Sequence, residues 1–248
     1  MSLTNVTLGN VVKKQYVFKL KSYIGALTAL ISVQLLAMFF SFNASSMSST
    51  SREGLTVKIT YYSADIVVIF TIVWAFIIAS ILPTKAYRND DFTFVTNRVS
   101  SHISNILILF TLSMLGGITA ISVSFLLRVI AYFFTDIQFT NINYLFHAPH
   151  HLLIGVIAAS LYMFLFSALG YFAGTLVQLS RAFIFLLPIL YLGPLLVGAT
   201  SGRDMTAIYQ FFFGESSILL FVIKVFITVA LLFTCSIALS NRMEVRQV

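Results

Sequence analysis

Residues 83–102 read PTKAYRNDDFTFVTNRVSSH and form the longest polar, charge-bearing interval between two apolar runs that are each long enough to cross a bilayer. Phe92, Val95 and Val99 recur at helical spacing behind an Asn-Asp-Asp cluster at residues 89–91, which can cap a helix N-terminus. The pattern predicts a short amphipathic helix on the cytoplasmic surface of a membrane. A plain solvated loop is the alternative interpretation.

The composition indicates the class of protein. Hydrophobic residues make up 59% of the chain and charged residues only 9%, whereas soluble domains carry about 25% charged residues. We therefore expect an integral membrane protein with a single all-α transmembrane domain over residues 1–248. At about 20 residues per crossing, the hydrophobic runs predict six spans. These are residues 24–42, 61–82, 103–127, 152–177, 182–199 and 217–239.

A basic segment, residues 5–21, precedes the first predicted span. If this segment is a helix, apolar residues and lysines lie on opposite sides of it. Val12, Tyr16 and Leu20 form one side, and Lys14 and Lys21 lie on the other. Lys13 and Lys19 do not follow this pattern. Lysine stems can lie along apolar surface while their ammonium groups reach lipid phosphates. The segment is therefore predicted to be an interfacial helix.

The distribution of Lys and Arg predicts the orientation in the cell membrane. With a cytoplasmic N-terminus, the inside set is Lys13, Lys14, Lys19, Lys21, Lys85, Arg88, Arg98, Arg181, Arg242 and Arg246, against Arg52, Lys58, Arg128 and Arg203 outside. Because loop cations concentrate on the cytoplasmic side of membrane proteins, both termini are predicted to be cytoplasmic. Topology and lipid headgroups explain the net charge of +7, so we expect no nucleic-acid partner.

Sequence motifs for catalysis are missing. The chain contains no HExxH, GxSxG or GxxxxGK[ST] pattern, so it is predicted not to be an enzyme and not to hydrolyse ATP by itself. His147, His150 and His151 form a small cluster, but its position beside the membrane favours an interfacial role, and no metal site is expected. The single Cys235 cannot form an intramolecular disulfide, and we expect it to be buried and inert.

Two ionisable residues lie within predicted spans. Lys224 is about seven residues inside the sixth span, and Asp65 is near the outer end of the second span. An unpaired ammonium in hydrocarbon costs at least ~2.5 kcal/mol. Lys224 is therefore predicted either to extend outward to the interface or to pair with Asp65.

Small residues and prolines predict special helix contacts. Ser167, Gly170 and Gly174, at spacings of three and four, form a face on the fourth span that lets another helix approach closely. Packing is also the expected role of the glycine pair at residues 116–117 in the third span. Pro188, followed by a Gly-Pro pair, predicts a bent or broken fifth span.

This layout resembles that of a permease subunit of an ABC transporter of the type-2 exporter class. The features that carry the resemblance are the basic segment KKQYVFKLKSYIG (Lys13 to Gly25), six spans, the polar segment between spans two and three, and an aromatic stretch before the last span. The resemblance implies that Lys85 to His102 is a coupling helix that docks on a separate ATPase, and that Thr200 to Ser216 forms short re-entrant helices near the outer mouth. The partner-coupling residues implied are Lys85, Arg88, Asp90, Asp91, Phe92, Val95, Arg98 and Val99.

The resemblance also implies a mechanism. Two permease chains, identical or different, would alternate access around a central cleft, driven by two cytoplasmic ATP-binding subunits that hold ATP and Mg; this chain itself would hold no cofactor. Spans two and five would line the cleft, with Thr71, Trp74, Pro188 and Tyr191 along the substrate path. Their apolar character suits a peptide, toxin, antibiotic or lipid-like substrate. The alternatives are a membrane scaffold or assembly factor without transport activity, and a channel or secondary transporter.

Overall fold

A computed structural model describes residues 7–43, 46–52, 55–61, 65–84, 98–134, 149–180, 182–186, 211, 214–215 and 217–245. Within these residues six helices follow one another: α1 (Leu8–Ser22), α2 (Ile24–Asn43), α3 (Asp65–Ile81), α4 (Arg98–Phe134), α5 (Pro149–Leu179) and α6 (Ile218–Val245). A short helical segment at 183–186 follows α5. Strands β1 (Ser46–Arg52) and β2 (Leu55–Tyr61) lie between α2 and α3.

Four of these helices, α2, α4, α5 and α6, are long and apolar enough to cross a membrane. The fifth apolar helix, α3, has 17 residues, which is about 25 Å and slightly short of a ~30 Å hydrocarbon core. The predicted class of helical membrane-spanning protein is thus confirmed. Six spans are not shown, because most of the predicted fifth span, residues 182–199, lies outside the described residues.

Residues 46–61 differ from the prediction. The sequence predicts a span from residue 61, but β1 and β2 pair antiparallel, from Ser46 opposite Tyr61 to Arg52 opposite Leu55, and α3 begins at Asp65. The sequence of β2, LTVKITY, alternates apolar with polar residues and is rich in β-branched types. That period of two is typical of a strand, so it gives the physical reason for the correction.

Helix α5 is the centre of the bundle and contacts α3, α4 and α6. Its predicted small-residue face is confirmed. A Cβ atom on Gly170 would overlap the backbone carbonyl of Phe76, and one on Gly174 would overlap that of Ser80. Ser167 lies 3.3 Å from Ser113 of α4, Oγ to Oγ. The absence of larger side chains therefore sets how closely α3 and α4 approach α5.

Helix α4 runs without interruption over 37 residues, about 55 Å, and so exceeds the hydrocarbon thickness. The glycine pair near its middle packs closely against α5, because a Cβ on Gly117 would overlap Ser160 and one on Gly116 would touch Met163. This confirms the packing role. The first residues of α4 are polar, with Ser100 and Ser104 both buried.

Exposed apolar side chains cover the outer sides of α2 and α6, as expected of helices that face lipid. Phe39 of α2 and Leu219 of α6 are among the most exposed. Cys235 also lies on the exposed side of α6, which corrects the expectation that it is buried.

Candidate functional site

The described residues include only the end of the predicted coupling segment. Arg98 and Val99 are the first two residues of α4, so they belong to the long helix itself, and Val99 is exposed. The other coupling candidates, Lys85, Arg88, Asp90, Asp91, Phe92 and Val95, lie outside the described residues. Their roles stay predictions.

Directly after this segment, a buried lysine from α1 meets α4. The Nζ of Lys19 donates to Ser104 Oγ at 2.9 Å and to Asn105 Oδ1 at 2.6 Å. Lys19 is only 5% exposed. Hydrogen bonds from an ammonium are stronger than those between neutral groups, and they offset part of the cost of burying the charge. Lys19 therefore fixes α1 to the first turns of α4.

The same group of side chains reaches α5. Tyr171, which is 1% exposed, accepts a hydrogen bond from Asn105 Nδ2 at 3.3 Å, and its hydroxyl lies 2.9 Å from His102 Nδ1. A hydroxyl that accepts from Asn105 and donates to His102 satisfies both contacts. Lys19, His102, Ser104, Asn105 and Tyr171 are called the α4 polar cluster below. The cluster joins three helices at the point where residues 85–97 enter α4.

The orientation of α1 differs in part from the prediction. Val12, Gln15 and Lys19 form its buried side, and the Tyr16 hydroxyl lies 2.9 Å from Thr111 Oγ1 of α4. Leu20, expected beside Val12 and Tyr16, is exposed. The physical reason is that Ser104 and Asn105 of α4 accept hydrogen bonds from Lys19. The side of α1 that carries Lys19 therefore faces α4, and Leu20 is turned away from it.

A second buried polar contact lies midway along α2. Gln34 Nε2 donates to Thr119 Oγ1 of α4 at 2.9 Å and to Thr71 Oγ1 of α3 at 3.3 Å. All three side chains are uncharged. The contact therefore holds α2, α3 and α4 together within the apolar bundle without burying a charge.

The predicted substrate-path residues in α3 lie inside the packing of this chain. Thr71 is fully buried and Trp74 is 5% exposed, and both are close to Gly116 of α4. Exposed apolar positions of α3 are instead Ile69, Val73 and Ile77. Those isoleucine and valine positions, rather than Thr71 and Trp74, form the exposed surface of α3. Pro188 and Tyr191 lie outside the described residues.

Lys224 has a partner other than the predicted Asp65. Its Nζ is paired with the carboxylate of Glu215, donates to the carbonyl of Phe211 at 3.2 Å and lies 4.3 Å from the centroid of the Phe211 ring. Glu215 precedes α6, so the lysine extends toward the N-terminal end of its helix. The prediction did not include this ion pair, and Asp65 is the first residue of α3.

The described residues contain no group of three His, Cys, Asp or Glu side chains that could hold a metal. His150 is exposed, while His147 lies outside the described residues. Comparisons with family models, with curated proteins and with solved structures find no match to this chain. The geometry therefore defines the class, a helical membrane-spanning protein with buried polar contacts between its helices.

Sequence reasoning missed Gln15, Asn105 and Glu215. A signal was present for the first two, because Gln15 and Lys19 are four residues apart on the side of α1 that also carries Val12, and Asn105 immediately precedes the apolar run of α4. Glu215 has no comparable signal. Glu215 lies nine residues before Lys224 and outside α6. Helical periodicity therefore cannot predict that the two side chains meet.

Proposed function

We propose that this chain is the permease subunit of an ATP-driven ABC exporter of the type-2 class, acting as a dimer with two separate ATPase subunits in the cell membrane. The single observation that carries the proposal is the α4 polar cluster. It connects the helix in which the predicted coupling segment ends both to α1 and to the central helix α5.

The cluster suits the transmission of force. A push on residues 85–97 would act on the start of α4, and polar side chains held by several hydrogen bonds favour one arrangement over loosely defined ones. Movement of α4 would therefore carry α1 and α5 with it. The tight contacts of Gly170 and Gly117 extend this rigid unit to α3 and along α4.

The surface available for a substrate is apolar. Ile69, Val73 and Ile77 lie on the exposed side of α3, and in a dimer of such chains this side would line the central cleft. A wall of this kind favours a lipid-like molecule, a hydrophobic peptide, a toxin or an antibiotic over a sugar or an ion.

Two observations favour this function over a proton- or ion-coupled secondary transporter. Such transporters place ionisable residues along a path near the middle of the membrane. In the described part of the chain, the polar contact at Gln34 is uncharged, and Lys224 is already paired with Glu215. The experiment that follows distinguishes an exporter from a scaffold without transport activity.

The test is affinity purification of the full chain from its native membrane, followed by reconstitution. We expect an ATPase with a phosphate-binding loop and no spans of its own to copurify, and ATP to drive export of an apolar substrate. Recovery of the chain without any such ATPase, at undiminished membrane levels, would contradict the exporter and favour the scaffold.

A matched pair of variants tests the role of the α4 polar cluster within that function. Tyr171→Phe removes only the hydroxyl that bonds Asn105 and His102, so we expect normal ATPase recovery and a reduced ratio of transport to ATP hydrolysis. Tyr132→Phe, at an exposed position near the other end of α4, is the control and should leave this ratio unchanged. Equal ratios in both variants would remove the cluster from the mechanism.

A further inference from the structure

Helix α1 is tied closely to the start of the candidate span in α2. Only Tyr23 separates α1 from α2, and the Tyr23 N–H still bonds the carbonyl of Lys19. The candidate span begins at Ile24. The C-terminal turn of α1 therefore stays within a few ångströms of the start of this candidate span.

The rotation of α1 about its own axis is also fixed. Lys19 and Tyr16 bond side chains of α4, and Val12 and Gln15 are buried on the same side. The opposite side, called the outer face of α1, consists of Lys13, Lys14, Val17, Phe18, Leu20 and Lys21, all of them exposed. It cannot turn inward without breaking the contacts with α4.

The outer face mixes lysines with large apolar side chains. Val17, Phe18 and Leu20 are each about 40% exposed, and residues 8–22 include no acidic side chain. In water this face would leave apolar surface uncovered. At a bilayer surface the apolar groups enter the acyl boundary, while the lysine ammonium groups reach the phosphates.

We infer that the outer face of α1 is a docking surface for an anionic phospholipid leaflet, and that it enriches anionic over zwitterionic lipid around the helix. A second copy of the chain is a poor occupant, because a two-fold contact through this face would place its lysines against the same lysines of the partner. The lysine of the buried side, Lys19, takes no part, since its ammonium is held by Ser104 and Asn105. The inference stands independently of any transport activity.

The expected size follows from surface electrostatics. Each lysine near an anionic membrane surface increases lipid association about five-fold. Lys13, Lys14 and Lys21 together therefore give a large preference for anionic lipid, which salt should weaken because exposed charges are screened.

The experiment uses the full-length chain with Cys235→Ser and a fluorophore at Phe18→Cys, reconstituted in vesicles of phosphatidylcholine with 30% phosphatidylglycerol. Nitroxide-labelled phosphatidylglycerol or nitroxide-labelled phosphatidylcholine is added at equal amounts, and the ratio of the two quenching efficiencies is measured. We expect labelled phosphatidylglycerol to quench at least five-fold more effectively than labelled phosphatidylcholine. The ratio should fall as the salt concentration is raised. The variant with Lys13, Lys14 and Lys21 all changed to Gln should show a ratio near one.

Changing the same three lysines to Arg is the matched control, because it keeps the charge and should keep the ratio. Should the Gln variant fail to fold, the salt dependence of the parent protein provides the same test. Equal quenching by both lipids in the parent protein would overturn the inference. Quenching by neither lipid would overturn it as well, because it would mean that protein, from a second copy or another chain, covers this face.

Discussion

At the scale of single residues, position in the fold decides the role of a lysine more than its chemistry does. Lys19 and Lys13 lie on the same 15-residue helix, yet Lys19 is buried against Ser104 and Asn105 while Lys13 is exposed. An ammonium is tolerated inside because oxygen acceptors replace part of its hydration shell. The exposed lysine keeps its hydration and contributes to the charge of the surface.

Lys19→Met should lower the stability of the folded protein. Methionine fills similar space but leaves Asn105 Oδ1 without its donor, at a cost of about 1–3 kcal/mol. Lys13→Met, on the exposed side, should change stability by less than about 0.5 kcal/mol. Thermal unfolding in detergent, followed by the fluorescence of the single tryptophan, Trp74, measures both. Equal melting temperatures for the two variants would show that the buried contacts add nothing to stability.

The ion pair of Lys224 and Glu215 should be weakly stabilising. Both side chains are partly exposed, at 24% and 22%, so we expect a coupling of about 0.5–1 kcal/mol. A double-mutant cycle with Lys224→Met and Glu215→Gln measures it. Additive effects of the two substitutions would indicate that the carbonyl and the ring of Phe211 hold the lysine instead.

At the scale of elements, the sequence predicts those helices whose apolar runs are long. α2, α4, α5 and α6 correspond to four of the six predicted spans, because runs of about 20 apolar residues have few alternatives to a membrane helix. The start of α3 was placed too early since Tyr61 ends a strand, and the alternation of β2 concerns only seven residues.

The candidate site was less predictable than the helices. In the sequence, Lys19 is only an irregularity in the pattern of α1, and nothing nearby indicates that α4 supplies Ser104 and Asn105 as acceptors. Thr71 and Trp74 were placed on the predicted second span, but which side of α3 faces α4 depends on tertiary packing. Contacts between distant segments depend on how the helices pack. The residue pattern within one helix carries no information about that packing.

Helix spacing at α5 gives a prediction at this scale. Gly170→Ala should destabilise the bundle, because the added Cβ overlaps the backbone of Phe76 and the backbone cannot move aside as a flexible side chain would. Overpacking of this kind costs about 1–3 kcal/mol. Gly155→Ala is the matched control on the same helix, since its nearest neighbouring atom, Cδ1 of Ile121, is 4.0 Å away. The readout is the melting temperature in detergent, and a Gly170→Ala protein as stable as Gly155→Ala would refute the close contact.

At the scale of the whole molecule, the distribution of cations predicts which ends of the helices face the cytoplasm. If all six predicted spans cross the membrane, most Lys and Arg residues outside them fall on the side of the N-terminus. In a Cys235→Ser background, Ser48→Cys in the hairpin should react with an impermeant thiol reagent in intact cells. Asn89→Cys should react only after the membrane is opened. Labelling of residue 89 from outside would show that the predicted topology is inverted. It would also rule out the proposed coupling role of residues 83–102.

The proposed coupling role predicts how an ATPase subunit would be held. If residues 90–97 dock as an amphipathic helix, Phe92 and Val95 provide its apolar anchor. Burying a Phe or Val side chain stabilises by about 1.5–3 kcal/mol, whereas an exposed ion pair stabilises by roughly 0–1 kcal/mol. Phe92→Ala should therefore reduce ATPase recovery in a pull-down and abolish transport, while Asp91→Asn should do much less. Membrane levels of the variants are matched, so that loss of recovery reports docking and not insertion. Undiminished recovery with Phe92→Ala and Val95→Ala together would move the contact elsewhere, most directly to the basic segment of α1 between Lys13 and Lys21.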